Sequence, residues 1–125
     1  MKEYIHKNIT GTTEQTLVER NIKKDIDIRG LTICNNHATD STYVDLYLKR
    51  INESFHTPGK DGNWDAVAAD ITTLYIMRDL EITPNNTLIL EPREVDYNAK
   101  EFSLMLQLND ADSTVDVIIN FEQEF

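Results

Sequence analysis

The chain has 125 residues, enough for one domain that buries a single core without covalent staples. Hydrophobic residues make up 40% and charged residues 27%, a globular composition that excludes a disordered chain. The 22 acidic against 12 basic residues give a formal charge of −10, which opposes a nucleic-acid backbone and an anionic membrane alike as partners.

The opening MKEYIHKNIT has no apolar leader, and no later stretch reaches the ~18 uninterrupted apolar residues of a membrane span, so a soluble chain is expected. Cys34 is the single cysteine and forms no internal disulfide. Asn8, Asn52 and Asn85 open Asn-x-Ser/Thr triplets, which carry little weight without a secretory signal.

Residues 1–24 show weak alternation at Tyr4, Ile5 and Ile9 and a Thr-rich run to Leu17 and Val18; two short strands or an extended arm of the same domain fit equally well. The core of the domain is expected over 25–125. Ile22, Ile26 and Ile28 occupy even positions, whereas Leu31 and Ile33 occupy odd ones. A strand has a side-chain period of two, so this phase change needs an inserted residue, and Arg29-Gly30 is the natural site of a bulge. One bent strand from about Asp25 to Cys34 is expected to pair with Thr42–Ile51 as a hairpin, with Asn35 to Thr42 as its turn.

From Asn52 to Asp70 the pattern lapses into Pro58, Gly59 and Gly62 punctuation and then an Ala-rich run, which predicts one long loop with one or two helical turns capped by Asn63 over Trp64–Asp70. Leu74, Ile76, Leu80 and Ile82 then share one phase, and the turn Thr83–Asn86 leads to Leu88 and Leu90, read as a second hairpin. After the polar link Arg93–Lys100, Phe102, Leu104, Leu106 and Leu108 face one way. The turn Asn109–Ser113 leads to Val115, Val117, Ile119 and Phe121, read as a third hairpin. About seven or eight short strands with one-sided alternation and no long helix predict an all-β fold, a single antiparallel β-sandwich of immunoglobulin-like or jelly-roll-like type, with a closed barrel as the alternative.

The constellations that carry chemistry fail on their spacing. Gly59-Lys60 lacks the earlier Gly of a phosphate loop, where Ser54 stands, and Asp61 follows the Lys where a Ser or Thr is needed. Asp61, Asn63 and Asp65 open like a calcium loop, but Ala66 and Thr72 occupy the positions that need Gly and Glu. Asp110 and Asp112 are turn residues. Cys34 and His37 have no third orienting group, and His6, His37 and His56 show no zinc-ligand spacing. No catalytic residue, cofactor or metal is expected.

The outward strand faces are more informative. If Val44, Leu46 and Leu48 point inward, Tyr43 and Tyr47 point outward; Tyr75 and Met77 oppose Leu74 and Ile76, Ile89 opposes Leu88 and Leu90, and Ile118 opposes Val117 and Ile119. Apolar groups there suggest a surface covered by a partner, most simply a second copy of the chain, although Tyr and Ile also favour strands for their own sake. Trp64 fits three roles: an anchor of such a contact, a platform for a sugar ring, or a plug at one end of the core.

The runs CNNHA, VDLYLKR, LYIMRDLEITPNNTLILE and STVDVIINFEQ, within residues 25 to 121, resemble small β-sandwich virion proteins of tailed bacteriophages, especially those of marine cyanobacterial phages. Ile82, Thr83, Pro84, Asn85, Asn86, Thr87 and Leu88 match the Ile-Pro-x-Asn/Gly-Thr-Leu turn of that pattern, with one extra residue between Ile82 and Pro84. The resemblance implies a non-enzymatic structural protein of the virion, on the capsid surface, neck or tail. Its partners would be copies of itself and other virion proteins, and it would be made in the host cytoplasm. The competing expectation is a carbohydrate-binding or host-adhesion module that uses Trp64, Tyr43 and Tyr47 as stacking platforms.

Overall fold

A computed structural model describes residues 2–21, 25–51, 55–58, 64–67 and 71–124. In chain order the elements are β1 (Lys2–Thr10), β2 (Gln15–Val18), β3 (Asp25–Asn35), β4 (Thr42–Ile51), β5 (Phe55–Pro58), β6 (Trp64–Val67), β7 (Ile71–Ile82), β8 (Thr87–Leu90), a 3₁₀ turn (Pro92–Glu94), β9 (Ser103–Leu108) and β10 (Thr114–Glu124). Two four-stranded antiparallel sheets form, β1-β10-β3-β8 (sheet A) and β2-β9-β4-β7 (sheet B), with β5-β6 as a separate ribbon. With the ribbon set aside, the strand orders are first-eighth-third-sixth and second-seventh-fourth-fifth, which is the jelly-roll variant of the expected sandwich.

The inner faces are those the alternation predicts. Leu31, Ile33, Val44, Leu46, Leu104, Leu106, Val115, Val117 and Ile119 are wholly buried between the sheets, each contributing roughly 1.5–3 kcal/mol of gross driving force. The bulge in β3 is also present. Gly30 pairs with Asn120 and Ile28 with Phe121, which leaves Arg29 as the inserted residue, so that Ile26, Ile28, Leu31 and Ile33 all face the core. The link after Pro92 is less polar than it reads, because Val95 and Ala99 are buried against one end of the core.

The pairing differs from expectation. β3 bonds to β10 and β8, whereas β4 bonds to β9 and β7; β7 and β8, and likewise β9 and β10, lie in opposite sheets. The three expected hairpins are therefore corners that cross between the sheets. Alternation reports which side of a strand is buried, and that side is the same whether the next strand lies alongside or crosses to the facing sheet. Only the passage from β4 to β7 returns to its own sheet.

The expected helical turns after Asn63 are also absent, since Trp64–Val67 pairs as β6 with β5. A helix of so few residues gains too little to offset nucleation without a surface to pack on. Asn63 itself and residues 68–70 lie outside the described residues. The ladder Phe55↔Val67 to Pro58↔Trp64 begins four positions beyond Ile51↔Ile71 on both strands, so the ribbon keeps the register of β4 with β7.

Asn35, fully buried, organises the corner after β3. Its Nδ2 donates to the carbonyls of Asp40 and Ile82, both at 2.9 Å, and its Oδ1 accepts from the His37 N–H at 3.0 Å. Its backbone N–H donates to the Asn86 carbonyl at 2.9 Å. One side chain thus ties the corner between the sheets to the end of β7, which lies in the sheet opposite its own. Asn35→Ala removes the Asn35 donor from one buried and one part-buried carbonyl and is expected to cost about 2–5 kcal/mol in urea unfolding. A loss below about 1 kcal/mol would show that the corner holds without it.

Candidate interaction surface

The outward residues fall on two opposite faces. On sheet B the registers align Thr16, Met105, Tyr47 and Tyr75 in one row across β2, β9, β4 and β7. On sheet A they align His6, Ile118, Thr32 and Ile89 across β1, β10, β3 and β8. Ile118 is 42% exposed and Ile89 69%, so the two residues expected as contacts on this sheet do stand in solvent, in one row.

Sheet B corrects two of the expected contacts. Tyr47 points away from the core as expected but is only 4% exposed. Its ring lies 5.4 Å from that of Tyr75, tilted by 47°, and its hydroxyl hydrogen-bonds Glu14, which also receives Lys49 Nζ at 2.7 Å. Burial, and then Glu14, push the Tyr47 phenol well above its ordinary value. Tyr47 is therefore an occupied position in the outer layer, and it offers neither a stacking platform nor free contact area.

Met77 is corrected for a different reason. β7 carries two single-residue register shifts against β4, so Leu80 faces Val44, Met77 faces Leu46, and Tyr75 faces Tyr47. The first shift turns Met77 inward, where with Ile76 it packs partly buried against the core; the second restores the original phase at Leu74. Asp79 marks the shift nearer the C-terminus, with a left-handed φ of 57°. Its N–H donates to Asp45 Oδ1 at 2.7 Å and its carboxylate accepts from Asn109 Nδ2. An Asp in the middle of the strand, a residue type that tolerates this conformation, was the signal in the sequence.

Tyr43 and Tyr75 remain exposed. The Tyr43 hydroxyl donates to Glu81 at 3.2 Å, and that hydrogen bond raises its phenol above the ordinary value. The Arg78 guanidinium sits 4.9 Å from the Tyr75 ring centre. Near this row is an open recess of about 350 Å³, lined among others by Glu14, Glu19, Arg20, Lys49 and Ser103. Its charges are mixed, and Glu14 and Lys49 already neutralise each other. Trp64 opens β6, and its side chain lies outside the described residues.

On sheet A, Asp116 accepts hydrogen bonds from Asn8 Nδ2 at 2.8 Å and from Asn36 Nδ2. These two bonds, Asn8 first, hold its carboxyl below the ordinary range. His37 does not face Cys34: its Nδ1 accepts from the backbone N–H groups of Thr39 and Asp40 at 3.2 and 3.0 Å, so the imidazole serves the corner. Cys34 Sγ instead lies 3.5 Å from Asn36 Oδ1. Asp110 Oδ1 accepts from the Asp112 N–H at 3.0 Å, the local bond of a turn Asp. Among the described residues no group of three metal-ligating side chains comes together. Gly59, Lys60, Asp61 and Asn63 lie outside them.

The Glu14 network gives the outer layer a pH dependence. Its hydrogen bond from Lys49, more than its contact with Tyr47, holds Glu14 below the ordinary 4.5. A carboxylate depressed in the fold stabilises it above its unfolded pKa, and the contribution is lost as pH falls through the folded value. Wild-type stability is therefore expected to fall more steeply between about pH 5 and pH 3 than that of Glu14→Gln, followed by thermal melts. Parallel curves for the two proteins would remove Glu14 from the account.

No protein-family model, no curated protein and no solved structure matches the chain.

Proposed function

We propose that this chain is a non-enzymatic building block that works through protein–protein contact, specifically a virion structural protein of a tailed bacteriophage, placed on the capsid surface, neck or tail. The observation that carries the reading is the set of large apolar side chains left in solvent on the sheets, Ile89 and Ile118 on one and Tyr43 and Tyr75 on the other. Such groups stand where a lone sandwich would place polar residues, and a neighbouring subunit would cover them. The jelly-roll topology supports the reading, because that architecture recurs in capsid domains, although it recurs in lectins too. The charge of −10 keeps a repeated surface protein soluble and opposes a role in binding nucleic acid.

The carbohydrate-binding or host-adhesion reading keeps one observation in its favour, that sheet B carries both an exposed Tyr75 and, toward its opposite edge, a mixed polar recess. It loses Tyr47 as a platform. A glycan array probed with the intact protein separates the two, since the structural reading expects silence there.

Mass spectrometry of purified phage particles is expected to find the protein as a stoichiometric component. Its absence from particles, together with a strictly monomeric protein in sedimentation, would overturn the proposal.

A further inference from the structure

Among the described residues, each of the four edge strands, β1, β8, β2 and β7, has a strand neighbour on one side only. An unpaired edge is a template for another strand, and proteins blunt it with charge, shortness or bulges. β1 carries Lys2, Glu3 and Lys7, and β2 and β8 have four residues each. β7 has 12 residues, and both of its register shifts lie beyond Tyr75, which leaves Ile71–Tyr75 regular.

That segment reads Ile-Thr-Thr-Leu-Tyr and holds no charge, in a chain whose net charge of −10 makes copies repel one another elsewhere. Three of its five side chains are large and exposed: Ile71 at 61%, Leu74 at 49% and Tyr75 at 48%. Leu74 pairs with Leu48, an inward position of β4, and is still half in solvent.

We infer that Ile71–Tyr75 of β7 is a self-pairing edge, which joins sheet B of two copies antiparallel about a two-fold axis at Thr73. This rests on the assembly reading above and narrows it to one edge and one register. In that register Ile71 lies opposite the partner's Tyr75 on the outer face, and Thr72 lies opposite the partner's Leu74 on the inner face. The two Leu74 side chains then meet diagonally across the axis, within reach of each other. A single operator covers all three large exposed residues of the segment, as an isologous contact requires. The aromatic–β-branched pair that forms twice is a favourable cross-strand combination, and Tyr75 becomes enclosed between Tyr47 of its own copy and the partner's Ile71. An unrelated extended peptide would satisfy the backbone equally, but the segment's own complementarity favours a second copy.

The register makes Thr73 its own neighbour across the axis, so a charge placed there meets itself. Thr73 is exposed, so these substitutions leave the core intact. Wild type is expected to sediment as a dimer at high protein concentration. Thr73→Lys and Thr73→Glu are each expected to be monomeric, with the wild-type melting temperature at protein concentrations low enough for wild type to be monomeric too, and an equimolar mixture of the two is expected to dimerise again. In a Cys34→Ser background, Thr73→Cys is expected to form a covalent dimer when an added disulfide oxidant such as oxidised glutathione takes up the two electrons, because opposed residues in antiparallel strands lie about 4.5–5.5 Å apart between Cα atoms. A dimer that persists in both charged variants would overturn this edge and leave the assembly reading standing. A monomeric wild type, as a foreign peptide partner would give, overturns the self-pairing. Charged variants that dissociate without rescue on mixing overturn the two-fold at Thr73.

Discussion

The fold depends on Asn35 holding one corner where the chain leaves sheet A for sheet B. A crossing between layers about 10 Å apart breaks the strand ladder and leaves backbone carbonyls buried with no strand partner. Asn35 supplies the missing donors at once, to Asp40 within the corner and to Ile82 at the end of β7, while its own backbone bonds Asn86 ahead of β8. Both crossings at this end of the sandwich, from β3 to β4 and from β7 to β8, therefore meet on one residue. Asparagine suits the position because its amide donates twice and accepts without charge, whereas an aspartate would bring a buried charge and no donors.

Outside residues 1–24 and 52–70, the strand positions and most of their inward faces were legible in the sequence because burial on one side imposes a period of two, and Val44, Leu46, Leu48 and Leu104, Leu106, Leu108 obey it. The β3 bulge was legible for the same reason, as a break in parity at Arg29-Gly30. Pairing was not. A turn such as Asn109–Ser113 has the composition of a hairpin loop and of a corner alike, and the choice is made by distant strands: β10 is held between β1 and β3, far from it in sequence. The double shift in β7 was hidden by cancellation, since two inserted residues return Leu74 to the phase of Leu80 and Ile82 and misplace only the residues between.

The candidate surface was half legible. Alternation correctly set Tyr43, Tyr75, Ile89 and Ile118 outside, but it carries no information on what neighbouring strands place beside them. Tyr47 faces outward and is still buried, because Tyr75 lies against its ring and Glu14, held by Lys49, takes its hydroxyl. Glu14 precedes a strand that pairs with β9 and not with β4, so its approach to Tyr47 depends on the sheet order. The outer layer of sheet B around Tyr47 is in this way part of the folded structure, and the exposed apolar area lies at Tyr43, at the β7 margin and on sheet A.

These features describe a sandwich with a closed core and exposed apolar margins, and the proposed role in assembly turns on whether a neighbouring subunit covers those margins. Electron microscopy of purified phage particles, at a resolution that traces strands, tests it most directly. The account predicts repeated jelly-roll density with Ile89 and Ile118 of sheet A, or the β7 margin of sheet B, against a neighbouring subunit. Particles that lack this density, or that hold the domain with both sheets and the β7 margin open to solvent, would contradict it.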